Sequence, residues 1–171
     1  MRQYDFSSLK ILIVDDDRFF LSILTHILHG FGVREITVAT SVLGAIDRCS
    51  VNEFDVAFVD CRMPLNDGFD FINYIRRDEQ CVRPCLPIIM VSAYAKRDVV
   101  KSAIETGADS FLVKPIRACD VHKRLVALIE HPYSFVRIAD AYSKPETRHA
   151  AVEPEPQDEQ PDAMGTVTIL V

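Results

Sequence analysis

The chain has 171 residues, of which 49% are hydrophobic, and its formal net charge is −6. This size and composition are typical of one globular domain that carries a short additional segment, and not of a disordered chain. The acidic balance argues against general binding to nucleic acid, because phosphate backbones are bound by clustered Lys and Arg. No apolar run is long enough to span a membrane, and residues 1–5 are not followed by the apolar core of a signal peptide.

The cysteine content gives no sign of a disulfide framework or a zinc site. The five cysteines are odd in number and irregularly spaced, which predicts reduced thiols and a cytoplasmic protein. Cys81 and Cys85 form a C-x3-C pair, but no second pair completes a set of zinc ligands. Cys61 is interpreted as a small packing residue.

The N-terminal part of the chain predicts a strand followed by a helix. Lys10–Val14 is short, apolar and β-branched, which is typical of a strand buried on both faces. Asp17 can cap the next helix, and Gly30 or Gly32 ends it. The inward residues of this helix recur at helical spacing: Phe20, Ile23, Leu24, Ile27, Leu28 and Phe31.

The next part of the chain repeats this alternation. Glu35–Ala39 is predicted as the second strand and residues 56–59 as the third, which is again continuously apolar. Ser41 can cap the short helix between these strands, and the inward residues of that helix are Val42, Ala45, Ile46 and Cys49. Asp67-Gly68 is a turn signal in the loop after the third strand.

The second half of the chain adds further elements of the same kind. A helix is predicted over residues 69–77, with Ile72 and Ile75 inward. The elements that follow are a strand at 88–91, a helix at Arg97–Thr106 closed by Gly107, a strand at Ser110–Val113 and a helix at 117–130. The inward residues of the last two helices are Val99, Val100, Ala103, Ile104, Val121, Leu125 and Leu128.

Strand and helix therefore alternate five times, with short connections. This alternation is the signature of a parallel sheet covered by helices on both faces. The predicted fold class is α/β, with a doubly wound five-stranded parallel sheet. Functional groups in such sheets gather beyond the carboxyl ends of the strands, so we expect the polar residues that follow the strands to form one site.

The residues after Pro132 do not continue the pattern. We therefore predict a domain at 1–132 and an acidic, proline-rich C-terminal tail at 133–171, largely disordered. The tail is too short and too acidic for a usual DNA-binding output domain, so direct DNA contact is not expected. Its β-prone end at 165–171 could add to a sheet edge, fit a groove that binds a C-terminal carboxylate, or simply fray.

Four strand ends carry the polar residues of the candidate site. Asp15 and Asp16 follow the first strand, Asp60 the third, Ser92 the fourth and Lys114 the fifth. Converging carboxylates repel one another and require a cation, and oxygen ligands favour Mg²⁺, with Mn²⁺ and Ca²⁺ as alternatives. With Mg²⁺ bound, a carboxylate can attack a phosphoryl group while a lysine and a hydroxyl bind its oxygens.

Four motifs contain these residues. They read ILIVDDD at residues 11–17, VAFVDCRMPLNDG at 56–68, IIMVSAY at 88–94 and GADSFLVKP at 107–115. Each is weak alone, but together and at these spacings they resemble the receiver domain of bacterial two-component response regulators, over residues 9–131. The resemblance implies a flavodoxin-like sheet with strand order 2-1-3-4-5. It also implies a signalling protein that catalyses only its own phosphorylation and dephosphorylation.

The resemblance implies a metal site around the phosphoacceptor. Asp60 would accept the phosphoryl group. Mg²⁺ would be bound directly by Asp16 and Asp60, by the backbone carbonyl of Arg62, and by Asp15 largely through water. A helix cap is the competing interpretation of Asp15 and Asp16, although Asp17 is better placed for that role.

The resemblance also implies a phosphate site and a switch. Ser92, Ala93 and Lys114 would bind the phosphoryl oxygens. Phe111 would turn inward when Ser92 is drawn to the phosphate, and its alternative interpretation is an ordinary core residue. The Lys114–Pro115 bond is predicted to be cis, which costs only about 0.5–1 kcal/mol before proline.

Arg62 and Tyr94 fill variable positions, two residues beyond Asp60 and Ser92. The resemblance implies that these positions tune how long the acyl phosphate lasts. Bulky side chains there would hinder an attacking water, so slow autodephosphorylation is expected.

The partners implied by the resemblance are proteins. The phosphodonor would be a histidine kinase or a histidine phosphotransfer protein. Phosphorylation adds about −1.5 to −2 charges, which would bias two packings of the fourth helix, fifth strand and fifth helix. That face would then meet an output partner or a second copy of the chain.

Two alternatives remain at the level of sequence. Asp15-x-Asp17 superficially fits a phosphatase of the haloacid dehalogenase type. However, Arg18 and Phe19 replace the residues expected there, and Asp60 would have no role. The other alternative is a pseudo-receiver scaffold that never takes phosphate, and the complete residue set argues against it.

Overall fold

The structure is a computed structural model that describes residues 4–78, 81, 83–94 and 96–130, together with the backbone of 136–138 and 141–143. Its centre is a five-stranded parallel sheet of order β2-β1-β3-β4-β5. The strands are β1 Lys10–Val14, β2 Glu35–Ala39, β3 Val56–Asp60, β4 Ile88–Ser92 and β5 Ser110–Val113. The predicted fold class and strand order are confirmed.

Five helices cover both faces of the sheet: α1 Arg18–Gly30, α2 Val42–Val51, α3 Gly68–Arg77, α4 Arg97–Thr106 and α5 Ala118–Glu130. Leu28 of α1 and Leu125 of α5 belong to the core on one face. Phe71 and Ile75 of α3 belong to the core on the other face, with residues of α2 and α4. β3 and β4 are buried along their whole length, as expected of a sheet covered on both sides. None of the helices in the described part of the chain is long and apolar enough to cross a membrane.

The predicted helix caps are present. The Asp17 carboxylate accepts a hydrogen bond from the Phe19 N–H at 2.8 Å, and the Ser41 hydroxyl accepts one from the Gly44 N–H at 3.2 Å. Both satisfy donors that a helix N-terminus leaves free. α4 ends at Gly107, whose φ of 121° lies in the region that favours glycine.

Two apolar residues predicted to face inward are exposed instead. Ile23 of α1 is 37% exposed and Ile104 of α4 is 42% exposed, so these two predictions are wrong. Viewed down the axis of α1, the buried residues fill the arc between the directions of Phe20 and Leu21. At 3.6 residues per turn, Ile23 points about 60° outside that arc. In α4, Ile104 points about 40° further around the helix axis than the half-buried Val100, on the solvent side.

A buried ion pair joins α3 to the start of β5. The Arg76 and Asp109 side chains are 1% and 0% exposed, and Arg76 Nη2 lies 3.0 Å from Asp109 Oδ2. Arg76 also donates to the carbonyls of Gly107, at 3.2 and 3.0 Å, and Pro84, at 2.8 Å. Asp109 accepts from the Ile88 N–H at 2.7 Å. Burial lowers the pKa of Arg76, and the charge of Asp109 opposes this.

Two short strands that follow the domain pair with each other in antiparallel orientation. β6 (Val136–Ile138) pairs with β7 (Ala141–Ser143), and β7 lies beside α3. These two strands are not apparent in the sequence of the 133–171 tail, because three-residue strands are too short to show an apolar period. The β-prone end at 165–171 lies outside the described residues.

Candidate functional site

The carboxyl edge of the sheet brings together side chains from four strand ends. Asp60 is the last residue of β3 and Ser92 the last residue of β4, while Asp15 and Lys114 directly follow β1 and β5. Parallel strands end at the same edge, so residues far apart in sequence become neighbours. Lys114 and Asp15, which are 99 positions apart in the chain, share a hydrogen bond.

Lys114 is the central contact of the site. Its Nζ lies 2.7 Å from Asp15 Oδ2 and 2.7 Å from Asp60 Oδ1. Its third neighbour is the Phe20 ring, whose centroid is 4.0 Å from Nζ. The Lys114 side chain is only 21% exposed, and a lysine is rarely this buried unless its charge is paired. One ammonium group therefore joins the ends of β1, β3 and β5.

Backbone donors fix the other oxygens of the two buried carboxylates. Asp15 Oδ1 accepts from the Asp17 N–H at 2.9 Å, and Asp60 Oδ2 accepts from the Arg62 N–H at 2.8 Å. Each carboxylate is thus held between the lysine and a loop amide. Asp16 lies between Asp15 and Asp17 in the chain and is exposed, so it is open to solvent and to ions.

The electrostatics of the site follow from this pairing. Burial raises the pKa of Asp15, although the hydrogen bond from Lys114 acts to lower it. Burial acts to lower the pKa of Lys114, but the hydrogen bonds to Asp15 and Asp60 outweigh it and the pKa is raised. The lysine is therefore a permanent positive charge at neutral pH.

Ser92 accepts hydrogen bonds from the loop after β4 and from the residue after β5. Its hydroxyl accepts from the Tyr94 N–H at 3.1 Å, and its carbonyl accepts from the Lys114 N–H at 2.7 Å. Ser92 is 2% exposed, whereas Ala93 is exposed beside it. The Ala93 amide and the Ser92 hydroxyl thus lie next to each other at the end of β4.

The side chains at the two variable positions contact each other. The Arg62 guanidinium carbon lies 4.7 Å from the centroid of the Tyr94 ring, which is within cation–π range. The pair connects the loop after β3 with the loop after β4. The two residues follow different strands, and the contact between their side chains forms one unit, whose Arg62 N–H also donates to Asp60 Oδ2.

Of the two residues assigned to the switch, Ser92 ends β4 and Phe111 lies in β5. Phe111 is 8% exposed and belongs to the core cluster that contains Met63 and Ala103, so its ring is inward in this structure. The Lys114–Pro115 peptide bond is cis.

Gly68 belongs to a turn signal in the sequence, and in the structure this glycine also shapes the site. A Cβ placed on it would lie 2.3 Å from the Asp60 carbonyl oxygen and 3.0 Å from Met90 Cε. Its N–H donates to the Cys61 carbonyl at 3.3 Å, so α3 begins in direct contact with the phosphoacceptor candidate. The contact distance requires glycine because any side chain would collide with backbone.

A capping box fixes the start of α3 at this position. The Asp67 carboxylate accepts from the Phe69 and Asp70 N–H groups at 2.9 and 3.1 Å, and the Asp70 carboxylate accepts from the Asp67 N–H at 2.9 Å. The two side chains satisfy helix donors reciprocally. The signal in the sequence is the pair of acids three residues apart.

The donor set fits a hard divalent cation. Asp15, Asp16 and Asp60 against the single ammonium of Lys114 leave two formal negative charges. Among the residues that the structure describes, no three His, Cys, Asp or Glu side chains form a cluster that could hold a metal by themselves. Mg²⁺ does not need such a cage, because it keeps several waters and uses one or two carboxylates.

Comparison with known proteins gives one family. The model of the response regulator receiver domain matches residues 11–126. The chemotaxis protein CheY-3 of Vibrio cholerae is 32% identical over 123 residues, which cover 72% of this chain and 93% of that protein. The chemotaxis protein CheY of Pseudomonas aeruginosa is 31% identical over 122 residues, which cover 71% and 97% of the two chains.

Solved structures of response regulators have the same fold as this chain. A putative response regulator from Chloroflexus aurantiacus has a TM-score of 0.67 and 27% identity, covering 72% of this chain and 98% of that one. The CheX-CheY-BeF3-Mg²⁺ complex from Borrelia burgdorferi has a TM-score of 0.65 and 28% identity, covering 71% and 89%.

Proposed function

Because the chain belongs to the response regulator receiver domain family, we propose that it is a signalling domain that accepts a phosphoryl group on Asp60. The observation that carries this proposal is the Lys114 ammonium, which lies 2.7 Å from both Asp15 and Asp60 at the carboxyl edge of the sheet. A structural role does not require two buried acids and a lysine to meet there, since burying three charges is costly.

The residues suit a carboxylate nucleophile. An Asp60 oxygen would attack the phosphorus of a phosphohistidine, and the N–P bond would break as the imidazole leaves with its electron pair and takes up a proton. The product on Asp60 is an acyl phosphate. Lys114 would neutralise charge on the phosphoryl oxygens, while the Ser92 hydroxyl and the Ala93 N–H would donate hydrogen bonds to them.

Mg²⁺ is the proposed cofactor, with Mn²⁺ as an alternative. The proposed ligands are the Asp16 and Asp60 carboxylates and the Arg62 carbonyl, with Asp15 acting largely through water. When bound, such an ion neutralises charge on the transferring oxygens. The charge balance of the site supports this proposal, and so does the similar complex from Borrelia burgdorferi, which is described as containing Mg²⁺.

The experiment that tests this function is phosphorylation by acetyl phosphate in the presence and absence of Mg²⁺, followed by intact mass. Wild type should gain one phosphoryl group only with Mg²⁺, and Asp60→Asn should gain none. Peptide mapping then identifies the modified aspartate. Phosphate on Asp15 would indicate the phosphatase alternative, and no uptake of phosphate or beryllium fluoride would indicate a scaffold.

The Arg62–Tyr94 pair is proposed to prolong the life of the acyl phosphate. The Arg62 N–H donates to Asp60 Oδ2 and the two side chains contact each other, so we expect the pair to hinder an attacking water at Asp60. We expect Arg62→Ala and Tyr94→Ala each to speed phosphate loss severalfold, measured as the decay of phosphorylated protein after the donor is removed. Arg83→Ala, at an exposed arginine that pairs with Glu53 and precedes β4, is the control. Equal decay rates in all variants would contradict the proposal.

The output is proposed to pass through the face formed by α4, β5 and α5. Phe111 of β5 and the exposed Ile104 of α4 lie on these elements, and the Lys114 N–H links β5 to Ser92. Beryllium fluoride with Mg²⁺ should shift NMR resonances across all three elements in wild type and none in Asp60→Asn. Shifts confined to the loops around Asp60 would argue against this face.

The proposed partners are therefore a histidine kinase or histidine phosphotransfer protein as donor, and an output protein or a second copy on the switched face. A cytoplasmic location is proposed as well, since all five cysteines are free thiols.

A further inference from the structure

The Lys114 ammonium has a third neighbour besides the two carboxylates. An ammonium group has three N–H donors, and the Asp15 and Asp60 oxygens, each at 2.7 Å, can accept two of them. The Phe20 ring centroid lies 4.0 Å from Nζ. An aromatic face attracts a cation at this distance through its quadrupole, so the ring supplies the third partner.

The ring is held by the same segment that holds Asp15. Phe20 lies in the first turn of α1 and is 8% exposed. The helix begins at Asp17, whose carboxylate accepts from the Phe19 N–H and whose own N–H donates to Asp15 Oδ1. The start of α1 and the buried carboxylate are therefore fixed relative to each other. Phe20 and Asp15 together form a fixed binding position for the Lys114 ammonium.

This binding position does not depend on whether Asp60 is phosphorylated. Once Asp60 carries a phosphoryl group, its carboxylate becomes part of a mixed anhydride, and the contact between Lys114 and Asp60 Oδ1 changes. The contacts from Asp15 and Phe20 involve a different strand and helix and remain available. A lysine side chain has four rotatable bonds, so fixing its end group requires partners on more than one side.

We propose that Phe20 is a positioning residue that holds the Lys114 ammonium over Asp60, so that the lysine is in place for the incoming phosphoryl group. The inference rests on the proposed phosphoacceptor function. The competing explanation is simple packing, because Phe20 also belongs to the core between α1, α5 and the sheet. Substitutions that keep most of the apolar volume but remove the aromatic face, together with a direct NMR readout of the contact, separate the two explanations.

The test compares Phe20→Leu and Phe20→Met, which lack a ring, with Phe20→Tyr, which retains one. The rate of phosphorylation by acetyl phosphate with Mg²⁺ should fall about 3- to 30-fold in the Leu and Met variants, and the Tyr variant should stay close to wild type. Phe31→Leu removes a ring next to the other end of α1, where it contacts Phe6 and His122. It should leave the rate unchanged.

A second readout does not require phosphorylation. Protons above an aromatic ring shift upfield, so the ε-methylene protons of Lys114 should be upfield in wild type and Phe20→Tyr and move to ordinary values in Phe20→Leu. Thermal unfolding shows which ringless variant is folded at the assay temperature, and the comparison uses that one.

The outcomes separate the two proposals. A slow ringless variant, a normal Tyr variant and the predicted NMR shifts support the positioning role. Equal slowing in the Leu, Met and Tyr variants, or wild-type rates in all of them, overturns it. If wild type itself takes no phosphate, the proposed function fails. The Lys114 resonances then decide the positioning role alone, and their absence from the upfield region overturns it.

Discussion

Replacing Arg76 with leucine should lower the free energy of unfolding by about 3–5 kcal/mol, which is the usual cost of removing one member of a buried ion pair. The leucine would leave the buried Asp109 carboxylate without the guanidinium. It would also remove the donors to the Gly107 and Pro84 carbonyls, which Arg76 reaches at 2.8–3.2 Å. Urea denaturation monitored by circular dichroism measures this loss.

Two further variants show that the charge is responsible. Adding Asp109→Asn to Arg76→Leu removes the buried charge but keeps an oxygen for the Ile88 N–H, so we expect part of the stability to return. Lys101→Ala breaks an exposed pair, 3.7 Å from Glu105, and should change stability by less than about 0.5 kcal/mol. A loss for Arg76→Leu as small as that for Lys101→Ala would show that the buried pair contributes little.

Replacing Gly68 with alanine should damage both the fold and the site. The new Cβ would lie 2.3 Å from the Asp60 carbonyl oxygen, so either α3 or the end of β3 must move. Overpacking of this kind costs about 1–3 kcal/mol. A displacement of reacting groups by about 1 Å can cost about 100-fold in rate, and we expect a loss of that order in phosphorylation by acetyl phosphate.

Gly30→Ala is the matched control for this variant. Nothing lies within 4 Å of a Cβ built on Gly30, which is the last residue of α1. Alanine in a helix loses less chain entropy on folding than glycine, so this change should be neutral or stabilising by up to about 1 kcal/mol. Normal stability and phosphorylation in Gly68→Ala would mean that the contact with Asp60 relaxes without cost.

The fold follows from the sequence because its signals are local and repeated. β1 and β3 are short apolar runs, and Asp17 and Ser41 each precede a helical pattern and cap it as expected. The pattern predicts Ile23 and Ile104 to face inward, because an apolar residue at helical spacing does not reveal where the buried side of the helix ends. The width of this buried side depends on how each helix lies against the sheet.

The residues of the site were predictable as a set, because parallel strands end together at one edge. Their contacts were not. Lys114 contacts Asp15, Asp60 and Phe20 at once. These contacts depend on distances between three strands and a helix, and residue spacing along the chain does not determine those distances. The pairing of Arg62 with Tyr94 is likewise a contact between two loops that sequence treats separately.

Arg76 could have been found. It lies four residues after Ile72 in α3, on the same side of the helix as the buried Ile72 and Ile75. A charged residue near the end of a helix is ordinarily exposed, since basic residues are common there. An arginine on the buried face of α3 is tolerated because it pairs with Asp109, which lies between α4 and β5.

The hydrogen bond from the Lys114 N–H to the Ser92 carbonyl, at 2.7 Å, makes one backbone amide a spectroscopic probe of the site. The strength of a hydrogen bond depends steeply on its length and angle. Any shift of the end of β4 against the end of β5 therefore changes the resonance frequency of this amide proton. A single peak in a ¹⁵N–¹H spectrum can thus follow the state of the site in the unmodified protein, without a dye, a tag or a substituted residue.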